Sequence, residues 1–201
     1  PVTVMWFKRD LRLRDNAALK IASEQTSPVA LIYMVEPVMI DDPHMDIRHW
    51  RFIYQSITDL NEQLAEFNAS ISILFGNAVE VLSELHEHCN IARIVSHQEV
   101  GLEHTYARDK EVLAWCRINQ IKWIEVAQGA VYRPLNNRRN WPKLWNDRIL
   151  GTANHPELRS AKWVIGLNDK IDGSYVYSIP EKWQIIDQHM QLGGEKRAWY
   201  T

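Results

Sequence analysis

Charged and hydrogen-bonding side chains gather just after the apolar runs of this sequence. Lys8, Arg9 and Asp10 follow Val2–Phe7, and Glu36 follows Val29–Val35. His97, Gln98 and Glu99 follow the run at 91–96, and Gln128 follows the run at 121–126. Acids and cations placed in this way can do one of two things. They can pair with one another and fix loops at one end of a sheet. They can also line a pocket for a planar, polar, anionic ligand. Arg51 stands three residues after Arg48, on the same face of a helical pattern. It is either solvated charge or a contact from the rim of the same crevice.

Motifs for other chemistries are missing. Neither GxGxxG nor GxxxxGK[ST] occurs, and Val2–Phe7 leads into Lys8-Arg9-Asp10-Leu11-Arg12 instead of glycines. A backbone nest for pyrophosphate is therefore absent, which argues against a dinucleotide dehydrogenase and a P-loop enzyme. There is no GxSxG elbow. His86 and His88 are two apart on a helical pattern and face different ways, so no metal is expected. His44 and His49 flank the start of the longest helical pattern and read as surface or cap residues. Cys89 and Cys116 lie outside any CxxC or Cys/His spacing. They read as reduced core or near-core residues, which fits a reducing, cytoplasmic setting.

The elements that must position these groups follow from the spacing of apolar residues. Val2–Phe7 and Val29–Val35 are too short for buried helices and suit strands covered on both faces. Ile71–Phe75 and 91–96 are similar. The stretch 121–126 alternates, with Lys122 and Glu125 interleaved among apolar residues, and reads as an edge strand. Asp15 is placed to cap a helix through Ala17, Leu19 and Ala22. The clearest helical pattern is 46–68, with Trp50, Ile53, Ile57, Leu60, Leu64 and Phe67 on one face. Asn77 and Glu80 have capping-box spacing at the start of a helix with Val79, Leu82 and Leu85 inward. A further helix at 103–119 carries Tyr106, Leu113 and Cys116 on one side.

Strands and helices thus alternate, which predicts a parallel sheet with helices on both faces. Right-handed crossovers and an edge fifth strand predict a doubly wound, Rossmann-like five-stranded sheet of order 3-2-1-4-5. The switch point of such a sheet lies beyond the carboxyl ends of the first and fourth strands. That is where the charged residues fall.

Past residue 130 the periodicity fades. Pro134, Pro142, Pro156 and Pro180, a basic run at 136–139 and five of the nine tryptophans occupy 131–201. This stretch reads as an irregular, partly helical connector made to lie on a neighbour. Arg138 and Arg139, with Trp141 and Trp145 nearby, read as a docking surface more than a nucleic-acid patch, because the net charge is −2. No run of about 18 apolar residues predicts a membrane span.

The segment Trp6-Phe7-Lys8-Arg9-Asp10-Leu11-Arg12-Leu13-Arg14-Asp15-Asn16-Ala17-Ala18-Leu19 resembles the opening signature of the DNA photolyase/cryptochrome family, W-F-(K/R)-R-D-L-R-x-x-D-N-x-A-L. The helical stretch His49-Trp50-Arg51-Phe52-Ile53-Tyr54 is similar to the family's second helix. Ala107-Arg108-Asp109-Lys110-Glu111-Val112 resembles its A-R-D-x-x-V segment. Gly193-Gly194-Glu195-Lys196-Arg197-Ala198 resembles the G-G-E-x-x-A that opens its helical flavin domain.

On this resemblance, 1–130 is an amino-terminal, antenna-binding α/β domain. The segment 131–201 is a connector to a helical FAD domain that the chain lacks. The resemblance implies a blue-light-driven lyase, a deoxyribodipyrimidine photo-lyase, in which reduced FAD passes an electron to a pyrimidine dimer in DNA. FAD and damaged DNA then belong to the complete protein, and the chain alone is not expected to be catalytic. Its catalytic partner is its own FAD domain, and no membrane is implied. The domain's own cofactor is an antenna chromophore. Folate-binding members carry an Asn-Glu pair before the A-R-D segment, where this chain has His104 and Thr105. Deazaflavin or flavin is therefore favoured over folate, with no antenna as the remaining alternative. The family's deazaflavin and flavin sites correspond to Arg9, Asp10, Glu36 and Arg51. With Lys8, His97 and Glu99 from the same crevice, these are the expected antenna residues. The same domain in a cryptochrome photoreceptor without repair activity is the first alternative. A free-standing nucleotide-binding α/β domain is the second, although His97-Gln98-Glu99-Val100-Gly101 is a poor phosphate loop.

Overall fold

The computed structural model describes residues 1–129, 131 and 137–199. Pro134 and Asn136, from the proline-rich and basic stretch past residue 130, lie outside the described residues. Strands β1 (Val2–Phe7), β2 (Val29–Val35), β3 (Ile71–Phe75), β4 (Ile91–His97) and β5 (Lys122–Val126) form one sheet. Every neighbouring pair is parallel and the order is β3-β2-β1-β4-β5, as the alternation of elements predicts. Central strand β2 is buried at all seven positions, which is why it reads as an unbroken apolar run.

Side chains of β1 alternate between two apolar layers. Met5 and Phe7 enter one, with Leu19 of α1 (Ala17–Ser23) and Trp50, Ile57, Leu60 and Leu64 of α3 (Ile47–Leu64). Val4 and Trp6 enter the other, with Val81, Leu82 and Leu85 of α4 (Ala78–Cys89) and Val112 and Cys116 of α5 (Glu103–Ile118). A short α2 (Pro37–Ile40), unforeseen in the sequence, starts at a proline after β2. Fully burying a side chain such as Leu60 or Leu64 contributes roughly 1.5–3 kcal/mol, so the two layers hold the frame rigidly enough to present loops at its edge.

Three local expectations are corrected. The cap of α1 is Asn16, whose Oδ1 accepts the Leu19 N–H at 2.9 Å. Asp15 instead has φ 47° and accepts the Asn154 N–H at 2.8 Å. Asn77 makes no side-chain cap bond at α4, so that capping box does not form. The buried face of α5 is Thr105, Asp109, Val112 and Cys116, with Tyr106 and Leu113 outward. Asp109 turns inward because a buried cation waits for it. Helix α3 ends at Leu64, and a 3-10 turn to Phe67 and a left-handed Asn68 complete the predicted stretch.

The irregular stretch after β5, expected to lie on a neighbour, packs on the sheet itself. Val29 and Trp163 form a parallel bridge, and Leu74 and Val176 an antiparallel one. Helix α6 (Trp141–Ile149) leaves Trp141 and Trp145 substantially exposed. Helix α7 (Glu181–Gln184) buries Trp183, whose ring stacks on Trp50 at 4.6 Å with the planes 7° apart. Helix α8 (Glu195–Ala198) returns to the loop after β1. Among the described residues, no helix is long and apolar enough to cross a membrane.

Candidate functional site

A cavity of about 900 Å³ opens beyond the carboxyl ends of β1 and β2. Its floor is polar and its sides are largely apolar. The loop 8–15 leaves β1 where the neighbouring loops diverge, as expected at the switch point of an open α/β sheet. Met39 and Met45 flank the turn between α2 and α3, and Phe52 and Ile53 come from α3. Ala153, His155, Gly194 and Trp199 supply the remaining wall.

The floor is an ion-pair network centred on Arg108. Its Nη1 donates to Glu36 Oε2 at 2.5 Å, and its Nη2 to Glu99 Oε2 at 2.9 Å and Asp109 Oδ1 at 2.8 Å. Lys8 Nζ donates to Asp109 Oδ2 at 2.8 Å, and Arg9 Nε to Glu99 Oε1 at 3.1 Å. Lys8 Nζ also lies 4.5 Å from the centre of the Trp6 ring, and the Arg108 guanidinium carbon 4.8 Å from it. Three cations thus meet three carboxylates in one small volume.

Burial and pairing push these groups in different directions. Burial holds Glu36 above the usual carboxylate range, although Arg108 pulls it back in part. Burial would also raise Glu99, but Arg108, Lys8 and Arg9 outweigh it and hold Glu99 low. Burial lowers Lys8, against the opposing attraction of Asp109. The Tyr33 hydroxyl is raised by burial and by Glu36. The site therefore combines a carboxyl held above its ordinary range, Glu36, with one held below it, Glu99.

Of the residues expected from the sequence, Lys8, Arg9, Glu36 and Glu99 line the cavity. Asp10 and His97 sit beneath it, both almost fully buried. Asp10 Oδ2 lies 2.7 Å from His97 Nδ1, and Asp10 Oδ1 accepts the Lys8 N–H at 2.9 Å. Asn16 Nδ2 adds a bond to Asp10 Oδ2 at 3.3 Å. Asp10 thereby shapes the loop from below. Arg51 points elsewhere: its Nε donates to the Lys182 carbonyl at 3.0 Å and holds the chain near α7. Gln98 and Gln128 do not line the cavity. His49 accepts the Asp46 N–H at 2.9 Å, which makes it a cap residue as well as a lining residue.

Sequence reasoning missed Arg108 and Asp109 as site residues. Their signal was the Ala107-Arg108-Asp109 stretch, two adjacent opposite charges on a helix that follows a buried strand. The wall residues Ala153 and His155 carried no local signal, and the stretch 193–198 signalled the family but not a place in this cavity.

Comparisons with known proteins agree with this architecture. The model of the family described as DNA photolyase matches residues 3–140. The cryptochrome-2 of Gallus gallus is 32% identical over 92 residues, which is 46% of this chain and 16% of that protein. A photolyase of Sulfolobus tokodaii, solved with two FAD molecules, has a TM-score of 0.76 at 20% identity. The match covers 100% of this chain and 45% of that one. A cryptochrome of Synechocystis has a TM-score of 0.73 at 18% identity, over 98% of this chain and 44% of its own. The chain therefore spans less than half the length of the proteins it matches. It belongs to the DNA photolyase family, with the five-stranded amino-terminal α/β domain of photolyases and cryptochromes.

Proposed function

We propose that this chain is the light-harvesting and structural domain of a DNA photolyase. Residues 1–130 would form the antenna domain and 131–201 the connector to an FAD domain. Repair of pyrimidine dimers in damaged DNA would then be the work of the complete, cytoplasmic protein. The observation that carries this reading is the cavity at the switch point. Its 900 Å³ lies within the roughly 300–1,000 Å³ of small-molecule sites. Apolar side chains from α3 and from the segments around it suit a planar ring system. Arg9, Arg12 and Arg14 at the loop suit an anionic tail.

The residues present fit a flavin or deazaflavin better than a folate. Thr105 lines the cavity, but neither His104 nor Thr105 offers a carboxylate. Glu36 and Glu99 instead present carboxyl groups beside Arg108, where ring nitrogens and carbonyls can hydrogen-bond. The Sulfolobus photolyase, whose second FAD implies a light-harvesting cofactor, is consistent with a flavin here. A bound antenna supplies absorption of near-UV or blue light and passes the energy to FAD. In this reading Asp10 and His97 hold the loop that grips it, while Arg51 fixes the connector.

An absorption and fluorescence titration with FMN, FAD, a deazaflavin and a reduced folate tests this. Saturable binding of a flavin or deazaflavin, with no response to folate, is expected. A chain that binds none of the four overturns the antenna reading, and one that binds folate alone overturns the choice of a flavin or deazaflavin. The likeness to the Gallus gallus cryptochrome-2 favours a second reading, the same domain in a photoreceptor without repair. Blue-light repair of a dimer-containing oligonucleotide by the full-length protein separates the two.

A further inference from the structure

One carboxylate holds the cavity wall formed by residues 193–199. Glu195 is largely buried, at 8% exposure. Its Oε2 accepts the Leu13 N–H at 2.9 Å and its Oε1 the Arg14 N–H at 2.8 Å. Those two amides belong to the loop that brings Leu11, Arg12, Arg14 and Asp15 to the cavity. Buried loop amides need acceptors, and an ionised carboxylate is a strong one.

The segment that carries Glu195 is shaped to α3 on its other side. Gly193 donates its N–H to Gln55 Oε1 at 2.8 Å. A Cβ at Gly193 would stand 2.2 Å from the Phe52 carbonyl oxygen, so no other residue fits without movement. Gly194 has φ 123°, which side chains rarely adopt. Lys196 donates its N–H to Asp59 Oδ2 at 3.2 Å. The Arg14 guanidinium then lies over the Trp199 ring at 4.9 Å and extends the same wall.

We propose that Glu195 is a positioning latch: docking of 193–199 through Glu195 completes the cavity, so that chromophore occupancy and docking of this segment favour each other. The coupling to a chromophore rests on the antenna reading above. A ligand that contacts the docked form alone stabilises docking, and docking raises its affinity by the same factor.

Two measurements on the full chain test this, each with the native protein and Glu195→Ala. The first is amide hydrogen exchange along 8–15 and 193–199, without ligand. Exchange at Leu13 and Arg14 should rise at least about tenfold in the variant, while β1, β2 and β4 keep their protection. Unchanged exchange along 8–15 overturns the latch, whatever the cavity holds. The second is titration with FMN. Affinity should fall about tenfold in Glu195→Ala, and saturating FMN should slow exchange at 193–199 in the native chain. FMN that binds both proteins equally, or leaves 193–199 unchanged, overturns the coupling. A native chain that binds no FMN, deazaflavin or FAD overturns the choice of a flavin or deazaflavin and with it the coupling, and leaves the latch to the exchange data. Gly193→Ala provides an independent route to the undocked segment and should reproduce both effects.

Discussion

Arg108 reaches the Glu36 carboxylate at 2.5 Å from a position 72 residues further along the chain. The same guanidinium bonds Glu99 and Asp109, so it serves carboxylates from two loops and its own helix. Removing it takes the cation from the buried Glu36 carboxyl and leaves Glu99 and Asp109 to Arg9 and Lys8 alone. Arg108→Ala should therefore cost about 3–5 kcal/mol in urea unfolding. Arg108→Lys should recover part of this, because an ammonium lacks the planar fork that bonds several carboxylates at once. A loss below about 1 kcal/mol for the alanine variant would mean that the network is solvated in solution.

Asp10 and Glu36 should bend the pH dependence of stability in opposite directions. Burial would raise Asp10, but the His97 hydrogen bond and charge outweigh it and hold the folded value below the ordinary 3.8. Its stabilisation is thus present above that value and lost as the pH falls through the folded value. Burial holds Glu36 above its ordinary 4.5 in the folded chain. The native state then binds this proton more tightly, so stability declines as the pH rises from the ordinary to the folded value. Urea unfolding between about pH 3 and pH 7 checks both. Asp10→Asn should flatten the acid limb, and Glu36→Gln should remove the decline above it.

The Trp50–Trp183 stack ties the irregular segment to α3. Trp183 is almost fully buried, and the Tyr177 ring packs against it at 5.2 Å between ring centres. Trp183→Ala should destabilise the chain by roughly 3–5 kcal/mol. Limited proteolysis should then cut between 150 and 193 before the sheet is attacked. Cleavage at native rates in this variant would show that the segment is held by its strand bridges instead.

Thiol reactivity offers a further check on burial. Burial pushes the Cys116 thiol up to about 11 and also raises Cys89, which is only partly buried. Iodoacetamide near pH 8 should label Cys89 more slowly than a free thiol and leave Cys116 untouched until the chain unfolds. Mass spectrometry of the alkylated peptides gives both rates. Rapid labelling of Cys116 would mean that the α5 face opens readily.

Much of the architecture was legible because periodicity is local. Apolar runs of five to seven residues marked four strands, and the alternation at 121–126 marked the edge strand. Strand order pointed to the carboxyl end of the sheet beside β1 and β4, whereas the cavity lies beyond β1 and β2, with Glu99 reaching it from beyond β4. Caps were less legible. Asp15 and Asn16 are neighbours of similar chemistry, and only the left-handed turn at Asp15 decides that Asn16 faces the helix amides. Helix α5 misled because charge outranked hydrophobicity: Asp109 is inside since Lys8 and Arg108 surround it.

The sequence by itself determined the parallel five-stranded frame, its order, the family and the end of the sheet where Lys8, Arg9, Glu36 and Glu99 converge. Side-chain alternation and helical spacing encode the frame over a few residues, and the signature at 6–19 carries the resemblance to the family, so no distant contact is needed to read either. Only the tertiary structure decided which charge meets which. Lys8 and Asp109 are 101 residues apart, and Leu13 and Glu195 are 182 apart. Several acceptors compete for each cation, and the winner is set by how the strand ends, α5 and the returning segment pack around one cavity. For the same reason Arg51, credible as a rim residue on its helix, was taken instead by the Lys182 carbonyl.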